Sequence, residues 1–285
     1  GGGNAVEYMY EKGICDVDFV ICNTDYQALR NSPIPCKIQL GKELTAGHGA
    51  GNNPAMGEKS AQESLADIEA ILKKDTRMAF ITAAMGGGTG TGAAPVIAKL
   101  SKDMGILTVG IVSVPARFEG PKRLDQARDG LRRLKDHVDC LIVIDNEKIK
   151  SIYGSQTISQ AFAKANDVLN IAAKGIAEII TLPGYINVDF ADVRTVMTDS
   201  GVAIMGAAQA SGEDRAIRAI TEALESPLLN NNDILGAKDI LLNITSGTDE
   251  ITMDEMSQIT SHIIRKVGNN AAVIWGVGTD PDLGD

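Results

Sequence analysis

The sequence predicts an α/β protein with a doubly wound parallel sheet, a long central helix and a smaller second α/β unit. Short apolar runs alternate with amphipathic helical stretches through the first half of the chain, as expected for right-handed βαβ crossovers. Aromatic residues form 4% of the 285 residues while glycine occurs 30 times, which favours glycine-rich turns over a β-sandwich. The 44% hydrophobic and 22% charged content is typical of a globular chain and argues against disorder.

The first half contains apolar runs of strand length separated by helical patterns. The predicted strands are residues 17–22, 78–83, 106–114 and 140–144. The apolar stripes that predict helices are Leu65, Ile68, Ile71 and Leu72, and then Leu124, Ala127, Leu131, Leu134 and Val138. Residues 1–4 lead directly into a helix-like stretch over 5–11 with no strand before them.

A long helix over Ile158–Thr181 and a second α/β unit are predicted for the rest of the chain. The helix carries an apolar stripe that includes Phe162, Ala165 and Leu169. Beyond it, strands are predicted at 202–208, 240–244 and 272–276, and helices at 213–224 and Met253–Val267. The predicted domains are 1–157, 158–181 and 182–285. We expect the chain to be a fragment that lacks the first strand of its first domain and the final strands of its last.

The charge balance disfavours a broad nucleic-acid surface. The chain has 27 basic and 37 acidic side chains, a net charge of -10 and a pI near 4.9. The basic stretch 122–135 is interleaved with Asp125, Asp129 and leucines, which predicts a solvated helix face. We expect no membrane insertion, because no apolar run approaches about 18 residues. The four cysteines form no CxxC pair, which favours reduced thiols in a cytoplasm.

The strongest functional signal is the glycine-rich loop Met85-Gly86-Gly87-Gly88-Thr89-Gly90-Thr91-Gly92. It lies between the predicted strand 78–83 and a helix predicted to begin near Ala93, at the sheet edge where α/β proteins bind ligands. Its backbone N–H groups and the helix dipole suit a phosphate, and Thr89 and Thr91 add hydroxyl donors. A flexible loop is the alternative, but five glycines at a strand-to-helix junction favour a phosphate cradle.

The residues of this loop do not by themselves identify the nucleotide. Gly88, Gly90 and Ala93 satisfy the GxGxxA pattern, but no carboxylate ends the next predicted strand to hold a dinucleotide ribose. A Walker loop requires Lys-Ser or Lys-Thr after its last glycine, and Ala93-Ala94 follows here. An oxidoreductase of the Rossmann type is therefore disfavoured.

The motifs together resemble the FtsZ family, the bacterial cell-division GTPases of the tubulin superfamily. The resemblance covers essentially the whole chain and rests on these segments: GGGTGTG at 86–92, NTD at 23–25, GAGNNP at 49–54, FEGPKR at 118–123 and NVDFAD at 187–192. It implies a GTP-binding domain, a central helix and a C-terminal domain that bind GTP or GDP. It also implies Mg²⁺ held mainly by nucleotide and water, and a cytoplasmic protein at the mid-cell division ring.

The resemblance assigns nucleotide-binding roles residue by residue. The assigned residues form the first glycine loop, the second and third loops, the phosphate signature, and the contacts with the ribose and the base. In chain order they are Gly1, Gly2, Gly3, Asn4, Asn23, Asp25, Gly49, Ala50, Gly51, Asn52, Gly86, Gly87, Gly88, Thr89, Gly90, Thr91, Gly92, Pro115, Glu119, Arg123, Asn146, Phe162 and Asn166. Asparagine amides can complement the N1–H, N2–H and O6 of guanine, while Phe162 stacks on its ring. Without the resemblance, Phe162 would be assigned to the helix core and Asn166 to a solvated position. The chain departs from the family's usual residues at Ala84, Ala116 and Asp145.

The resemblance also implies a catalytic loop outside the first domain. Asp189, Asp192 and Asn187 match the family's synergy loop, which completes the nucleotide site of the next subunit and positions the attacking water. Stabilisation of a helix N-terminus is the alternative role for the two aspartates. The implied partners are other copies of the chain, joined head to tail, and division proteins that bind a C-terminal tail not included in this sequence. A scaffold that binds GTP but scarcely hydrolyses it is the alternative function, and the three catalytic-loop residues count against it.

Overall fold

The computed structural model describes residues 2–14, 16–181, 185–225, 234–268, 271–280 and 283–284. The chain divides into two compact units: unit 1 comprises residues 1–174 and 197–203, and unit 2 comprises residues 175–196 and 204–285. The first boundary falls inside a continuous helix, Ile158–Thr181, whose bounds agree with the sequence analysis. The division into domains 1–157, 158–181 and 182–285 remains a prediction.

Unit 1 is built on parallel strands. They are β1 Val20–Asn23, β2 Cys36–Gln39, β3 Met78–Ala84, β4 Leu107–Val114, β5 Cys140–Asp145 and β6 Gly201–Val202. Strands β3, β4, β5 and β6 form one sheet in that order, and β1 pairs with β2 in a second. All of these pairs are parallel, so the predicted α/β class with a parallel sheet is confirmed. The loops that follow β3, β4 and β5 therefore leave the same edge of the sheet.

Helices connect these strands and enclose the core of unit 1. They are α1 Gly2–Lys12, α2 Tyr26–Asn31, α3 Lys42–Thr45, α4 Pro54–Glu63, α5 Leu65–Leu72, α6 Gly88–Asp103, α7 Pro121–Lys135, α8 Asn146–Tyr153 and α9 Ile158–Thr181, which continues into unit 2. Strand β4 is buried along its length except at Val114, and Val112 packs with Ala98 of α6 and Leu134 of α7. The core thus fixes α6, and with it the loop that precedes α6, against the sheet.

Two predictions about the elements were wrong. The predicted strand 202–208 is reduced to β6, which pairs with β5 in unit 1, while residues 203–210 form no helix or strand. Alanines and a glycine dominate that run, and a Cβ at Gly206 would clash with the carbonyl of Ala223, so packing outweighs strand pairing there. The helix after the glycine loop begins at Gly88, five residues before the predicted Ala93.

The basic stretch 122–135 is a solvated helix face, as predicted. It forms α7, on which Arg128 pairs with Asp125 at 3.0 Å and Arg132 pairs with Asp129 at 2.5 Å. Arg133 pairs instead with Glu58 of α4 at 2.8 Å. These three arginines therefore have acidic partners within the chain.

Unit 2 is a smaller parallel α/β unit, and no helix in the described ranges is long and apolar enough to cross a membrane. Its strands and its remaining helices are β7 Asp239–Ser246, β8 Ala272–Thr279, α10 Phe190–Met197, α11 Arg215–Leu224 and α12 Met253–Val267. Strands β7 and β8 pair in parallel, and α11 and α12 cover one face of β7 through Ile220, Ile259 and Ile263. The two predicted strands and two predicted helices of this unit are confirmed within a few residues.

A charged cluster ties α11 to the start of α12. Arg215 makes a bidentate contact with Glu255, at 2.7 Å from Nε to Oε1 and 3.2 Å from Nη2 to Oε2. Glu255 also closes a capping box, since its Oε2 accepts the N–H of Thr252 at 2.8 Å. The hydrogen bond from Arg215 holds the pKa of Glu255 at about 2, below the ordinary 4.5.

This cluster predicts a pH dependence for the stability of unit 2. Because the pKa of Glu255 is lower in the folded state, its contribution is present above about pH 4.5 and is lost as the pH falls toward 2. We expect Glu255→Gln to lower the free energy of unfolding by about 1.5–3 kcal/mol at neutral pH. Below pH 4.5, the free energy of unfolding of this variant should fall less steeply with pH than that of the unmodified chain. Urea unfolding followed through the single tryptophan, Trp275 on β8, measures this unit directly. Glu222→Gln, at an exposed position of α11, is the control, and an unchanged pH profile in Glu255→Gln would contradict the assignment.

Candidate nucleotide-binding site

The glycine-rich loop joins β3 to α6 and is held by its own side chains and backbone. Gly86 has a φ of +101°, a conformation that glycine adopts readily, and its N–H donates to Thr91 Oγ1 at 2.8 Å. Thr91 is 1% exposed, so its hydroxyl stabilises the loop from inside by accepting this hydrogen bond. The predicted role of the same hydroxyl as a donor to phosphate remains a prediction. The first N–H groups of an α-helix have no partner within the helix, so the first turn of α6 suits the binding of an anion.

Most glycines of the loop are required by neighbouring backbone. A Cβ at Gly88 would lie 2.7 Å from the nitrogen of Asn53 and 2.9 Å from the Cβ of Ala50. A Cβ at Gly90 would lie 2.5 Å from the carbonyl oxygen of Ala84, and one at Gly92 would clash with the carbonyl of Pro54. At Gly87, by contrast, no atom of the described residues other than its two chain neighbours lies within 4 Å of the position of a Cβ. The loop is therefore packed against the protein at Gly88, Gly90 and Gly92 and open at Gly87, as a phosphate cradle requires.

The loop at residues 47–53 is attached to the loop after β1. Gly49 N–H donates to the carbonyl of Thr24 at 3.2 Å, and Asp25 and His48 form an antiparallel bridge. The fully buried Thr24 in turn places its Oγ1 2.6 Å from Oγ1 of Thr89 in the glycine-rich loop. The predicted second and third nucleotide loops and the phosphate signature thus meet in unit 1.

Asn23 and Asp25 have structural roles in this assembly. Asn23 Oδ1 accepts the N–H of Asp25 at 3.1 Å. Asp25 Oδ1 caps α2 by accepting the N–H groups of Gln27 at 2.8 Å and Ala28 at 3.3 Å. The predicted contact of these two residues with the nucleotide remains a prediction.

The turn after β4 lies beside the same loop. A Cβ at Gly86 would meet the carbonyl oxygen of Arg123 at 2.9 Å and Cγ of Pro115 at 3.1 Å. The Glu119 carboxylate accepts the N–H of Ala116 at 3.0 Å and pairs with Arg123, also at 3.0 Å. The structure therefore brings Pro115, Glu119 and Arg123 together at the edge of the glycine-rich loop.

Asn146 is a half-buried asparagine whose amide oxygen has no partner in the described part of the chain. It begins α8 directly after β5, and its Oδ1 is inaccessible to solvent and accepts no hydrogen bond from the described residues. The next residue, Glu147, accepts the N–H of Arg117 at 2.8 Å, which joins this position to the turn after β4. An unpaired buried acceptor is costly unless a ligand supplies a donor, and guanine presents two donors on adjacent nitrogens.

Phe162 and Asn166 lie one turn apart on α9, so they share a face of that helix. Ala165 and Leu169 of the predicted apolar stripe are buried, but Phe162 is 42% exposed and Asn166 is half-buried. The exposed ring is therefore not a core residue. The neighbouring Asp167 accepts the hydroxyl of Tyr8, which connects α9 to α1.

The first residues of the chain form the start of α1. Gly2 approaches β3 closely, since a Cβ there would lie 2.8 Å from Cα of Ala83. Gly3 and Asn4 follow in the same helical turn, and Gly1 lies outside the described residues. The start of α1 thus packs on the strand that leads into the glycine-rich loop, although residues 2–4 are helical where a loop was predicted.

No group of three or more His, Cys, Asp or Glu side chains in the described ranges could hold a metal ion. Three acids close to the glycine-rich loop are engaged, Asp25 in the cap of α2, Glu119 with Arg123 and Glu58 with Arg133. The assignment of a phosphate to the open face at Gly87 and the first turn of α6 remains a prediction.

The predicted catalytic acids belong to unit 2 and cap α10. Asp189 Oδ1 accepts the N–H of Asp192 at 2.8 Å, and Asp192 Oδ2 accepts the N–H of Asp189 at 3.3 Å. Both side chains are exposed, and their other carboxylate oxygens make no hydrogen bond within the described part of the chain. Asn187 is also exposed and precedes the buried Val188. The two aspartates therefore do stabilise the N-terminus of α10, and one carboxylate oxygen of each is not used in this cap.

Two residues of the site were missed by the sequence analysis. Thr24 is the central residue of the recognised NTD segment, and a threonine between two polar loop residues was the available signal for its contact with Thr89. Gln126 of α7 donates to the carbonyl of Asn52 at 3.1 Å, while its Oε1 is buried and has no hydrogen-bond partner among the described residues. No signal identified Gln126, because its partner lies 74 residues away in the sequence.

Comparisons with known proteins agree with this geometry. Residues 1–154 match the Tubulin/FtsZ family GTPase domain, and residues 201–285 match the FtsZ family C-terminal domain. The chain is 49% identical to the cell division protein FtsZ of Porphyromonas gingivalis over 100% of this chain and 62% of that protein. It is 48% identical to the Coxiella burnetii protein of the same name, over 100% of this chain and 74% of that protein. A solved structure of an empty FtsZ dimer from M. jannaschii has a TM-score of 0.92 and 43% identity, covering 99% of this chain and 82% of that one.

Unit 1 is thus a nucleotide-binding α/β unit that contains the GTPase domain of a known family, and such a domain binds guanine nucleotides. The chain belongs to the FtsZ family, as the resemblance of its motifs implied. It spans about three fifths of the length of the P. gingivalis relative.

Proposed function

We propose that this chain is a GTP-hydrolysing subunit of a head-to-tail filament that acts in the cell-division ring, with each active site completed by the next subunit. The observation that carries the proposal is the glycine-rich loop. Neighbouring backbone packs against it at Gly88, Gly90 and Gly92 and leaves only Gly87 open among the glycines of residues 87–92. The proteins named in the comparisons are cell division proteins, and the solved FtsZ structure is a dimer, which supports this role and self-association.

The proposed nucleotide contacts follow the residues that the site brings together. The phosphates lie over Gly87 and the first turn of α6, near Thr89, with the loop at residues 49–52 toward the γ-phosphate. Glu119 and Arg123 contact the ribose and phosphates, and Asn146, Phe162 and Asn166 contact the base. Mg²⁺ bound to the phosphates would offset their charge and stabilise the charge that develops during phosphoryl transfer.

The proposed catalytic residues are Asp189, Asp192 and Asn187 of the next subunit. Supporting this, three acids of unit 1 close to the glycine-rich loop, Asp25, Glu119 and Glu58, are engaged in capping and pairing. A heterologous contact that brings the acids of one subunit to the phosphates of another repeats along a filament. Further proposals are cytoplasmic localisation at mid-cell and binding of other division proteins.

Nucleotide competition tests the proposal. A fluorescent GTP analogue bound to the protein should be displaced by GTP and GDP at concentrations where ATP and NAD have no effect. Equal displacement by ATP and GTP would contradict the assignment of the guanine pocket. Displacement by NAD alone would favour the oxidoreductase alternative.

Asn146 should determine the preference for guanine. We expect Asn146→Ala to lower GTP affinity by about 5- to 150-fold, the equivalent of about 1–3 kcal/mol for a desolvated hydrogen bond, and Asn166→Ala to act likewise. Because Oδ1 of Asn146 is unpaired without ligand, Asn146→Ala should not lower the free energy of unfolding of the empty protein. Asn146→Asp keeps an acceptor oxygen and serves as the control in calorimetric titrations with GTP and ATP. A GTP preference unchanged in Asn146→Ala would show that another residue binds the base.

A further inference from the structure

A groove of about 650 Å³ runs along the outer edge of β2, between helices α2 and α5. This volume lies within the range of about 300–1,000 Å³ that is common for binding sites. Its lining includes Arg30 of α2, Lys37 and Ile38 of β2, Lys42, and Asp67 and Ile71 of α5. No residue of the groove is among the proposed nucleotide or catalytic residues, so an inference about it does not depend on the proposed function.

The groove opens onto unpaired backbone. Lys37 is opposite Ile21, which packs with Leu29 of α2, whereas Ile38 packs with Ile68 of α5. The side chains of Lys37 and Ile38 point to opposite faces of the sheet, yet both line the groove. The groove therefore follows the edge of β2.

The direction of the backbone groups on β2 identifies those that face the groove. The N–H of Leu40 donates to Asn23 of β1, so the alternation of a strand turns the N–H groups of Lys37 and Gln39 away from β1. Gln39 O accepts Ser64 Oγ at 3.3 Å, but the N–H and C=O of Lys37 and the N–H of Gln39 have no hydrogen bond within the described ranges. Such an edge can pair with an added strand.

The charge of the groove contrasts with that of the chain. Arg30, Lys37 and Lys42 face it against a single carboxylate, Asp67, in a protein whose net charge is -10. The pair between Lys42 and Asp67 is long, at 3.8 Å, and its side chains are 62% and 58% exposed. Arg30 is exposed, and the one hydrogen bond of Lys37 Nζ to a described residue is to the carbonyl of Ser32 at 2.7 Å. The complementary charge on a partner is therefore negative.

We propose that the edge of β2 docks an extended segment of a partner protein in which acidic and apolar side chains alternate. The added strand would bond to the free backbone groups of Lys37 and Gln39. Because side chains of a strand alternate between faces, acidic residues would meet Arg30 and Lys37 on the α2 side, and apolar residues would meet Ile71 on the α5 side.

A synthetic peptide tests this directly. The probe is fluorescently labelled acetyl-Glu-Val-Glu-Val-Glu-Val-Glu-amide, and the comparison peptide has the same composition in blocked order, Glu-Glu-Glu-Glu-Val-Val-Val. We expect saturable binding of the alternating peptide by fluorescence anisotropy, at least tenfold tighter than that of the blocked peptide. No saturable binding up to millimolar concentration, or equal binding of both peptides, would overturn the proposal.

Matched variants and amide exchange separate docking from general attraction. Arg30→Glu should lower the affinity for the alternating peptide at least tenfold and leave GTP binding unchanged. Lys59→Glu, the same charge reversal at an exposed position of α4, should change the affinity for the alternating peptide by less than twofold. Hydrogen exchange over residues 36–40 should slow when the peptide is bound, because free N–H groups become paired. Equal effects of the two variants, or binding without slower exchange, would indicate charge attraction alone and contradict strand addition.

Discussion

Replacing Asp189 with asparagine is expected to leave GTP binding intact and to slow hydrolysis by about 100- to 10,000-fold, the range for loss of an acid–base or water-positioning group. Asparagine retains an oxygen that can accept the N–H of Asp192, so the cap of α10 is preserved while the negative charge is removed. Asp192→Asn should have a similar effect. The measurement is phosphate release per subunit, at protein concentrations where the rate of the unmodified chain no longer rises, together with GTP affinity by calorimetry.

Two controls separate catalysis from helix stability. Asp189→Ala removes both the cap and the charge, so it should match the catalytic loss of Asp189→Asn and also cost about 1 kcal/mol of stability. Asp254→Asn removes an exposed acid from the first turn of α12 in the same unit and should not change hydrolysis. A normal rate in Asp189→Asn would mean that the aspartates serve only to cap α10.

Substitutions at the two adjacent glycines of the phosphate loop should have different consequences. Gly87→Ala adds a methyl group to open space at a backbone conformation that alanine tolerates, φ -96° and ψ 179°, so folding should be unaffected. If the phosphates lie there, GTP affinity should fall by about 10- to 100-fold, or about 1.4–2.8 kcal/mol. Gly88→Val would clash with Asn53 and Ala50, so it should weaken binding and also lower the free energy of unfolding by about 1–3 kcal/mol.

The measurements are GTP titration and chemical unfolding of the same preparations. Gly175→Ala is the control, because apart from the backbone of α9 no atom of the described residues lies within 4 Å of its Cβ position, and alanine should stabilise that helix by about 1 kcal/mol. Unchanged GTP affinity in Gly87→Ala would place the nucleotide elsewhere on the loop.

Burial explains which elements the sequence predicted. Strand β4 is a continuous apolar run because almost all of it is buried, and α9 follows a 3.6-residue apolar period because one face is buried. Strand β2 was missed because only Ile38 among its four residues is buried, so it has no apolar run to recognise. The early start of α6 was missed because glycines have low helix propensity, and here tertiary packing against Asn53, Ala84 and Pro54 outweighs that propensity.

The sequence indicated which loops lie together in unit 1, but it did not indicate the contacts that each residue makes there. The glycine pattern indicated a phosphate cradle, yet the sequence could not show that Gly88, Gly90 and Gly92 avoid clashes with backbone while Gly87 alone is open. Nor could it show that the hydroxyl of Thr91 is used inside the loop. These distinctions depend on contacts between distant segments, which local patterns do not encode. The assignment of Phe162 came from the resemblance alone, since its position in an apolar stripe predicted burial and the ring is exposed.

The central claim, that the phosphates lie on one subunit and the catalytic acids on the next, is tested most directly by mixing two inactive variants. Asp189→Asn retains the phosphate loop but lacks a catalytic acid, and Gly88→Val retains both acids but has a damaged phosphate loop. If the site is shared, GTP bound to the first variant meets the intact acids of the second, and the mixture should hydrolyse GTP faster than the sum of the two proteins assayed separately at the same total concentration. A rate equal to that sum at every mixing ratio would contradict the shared site.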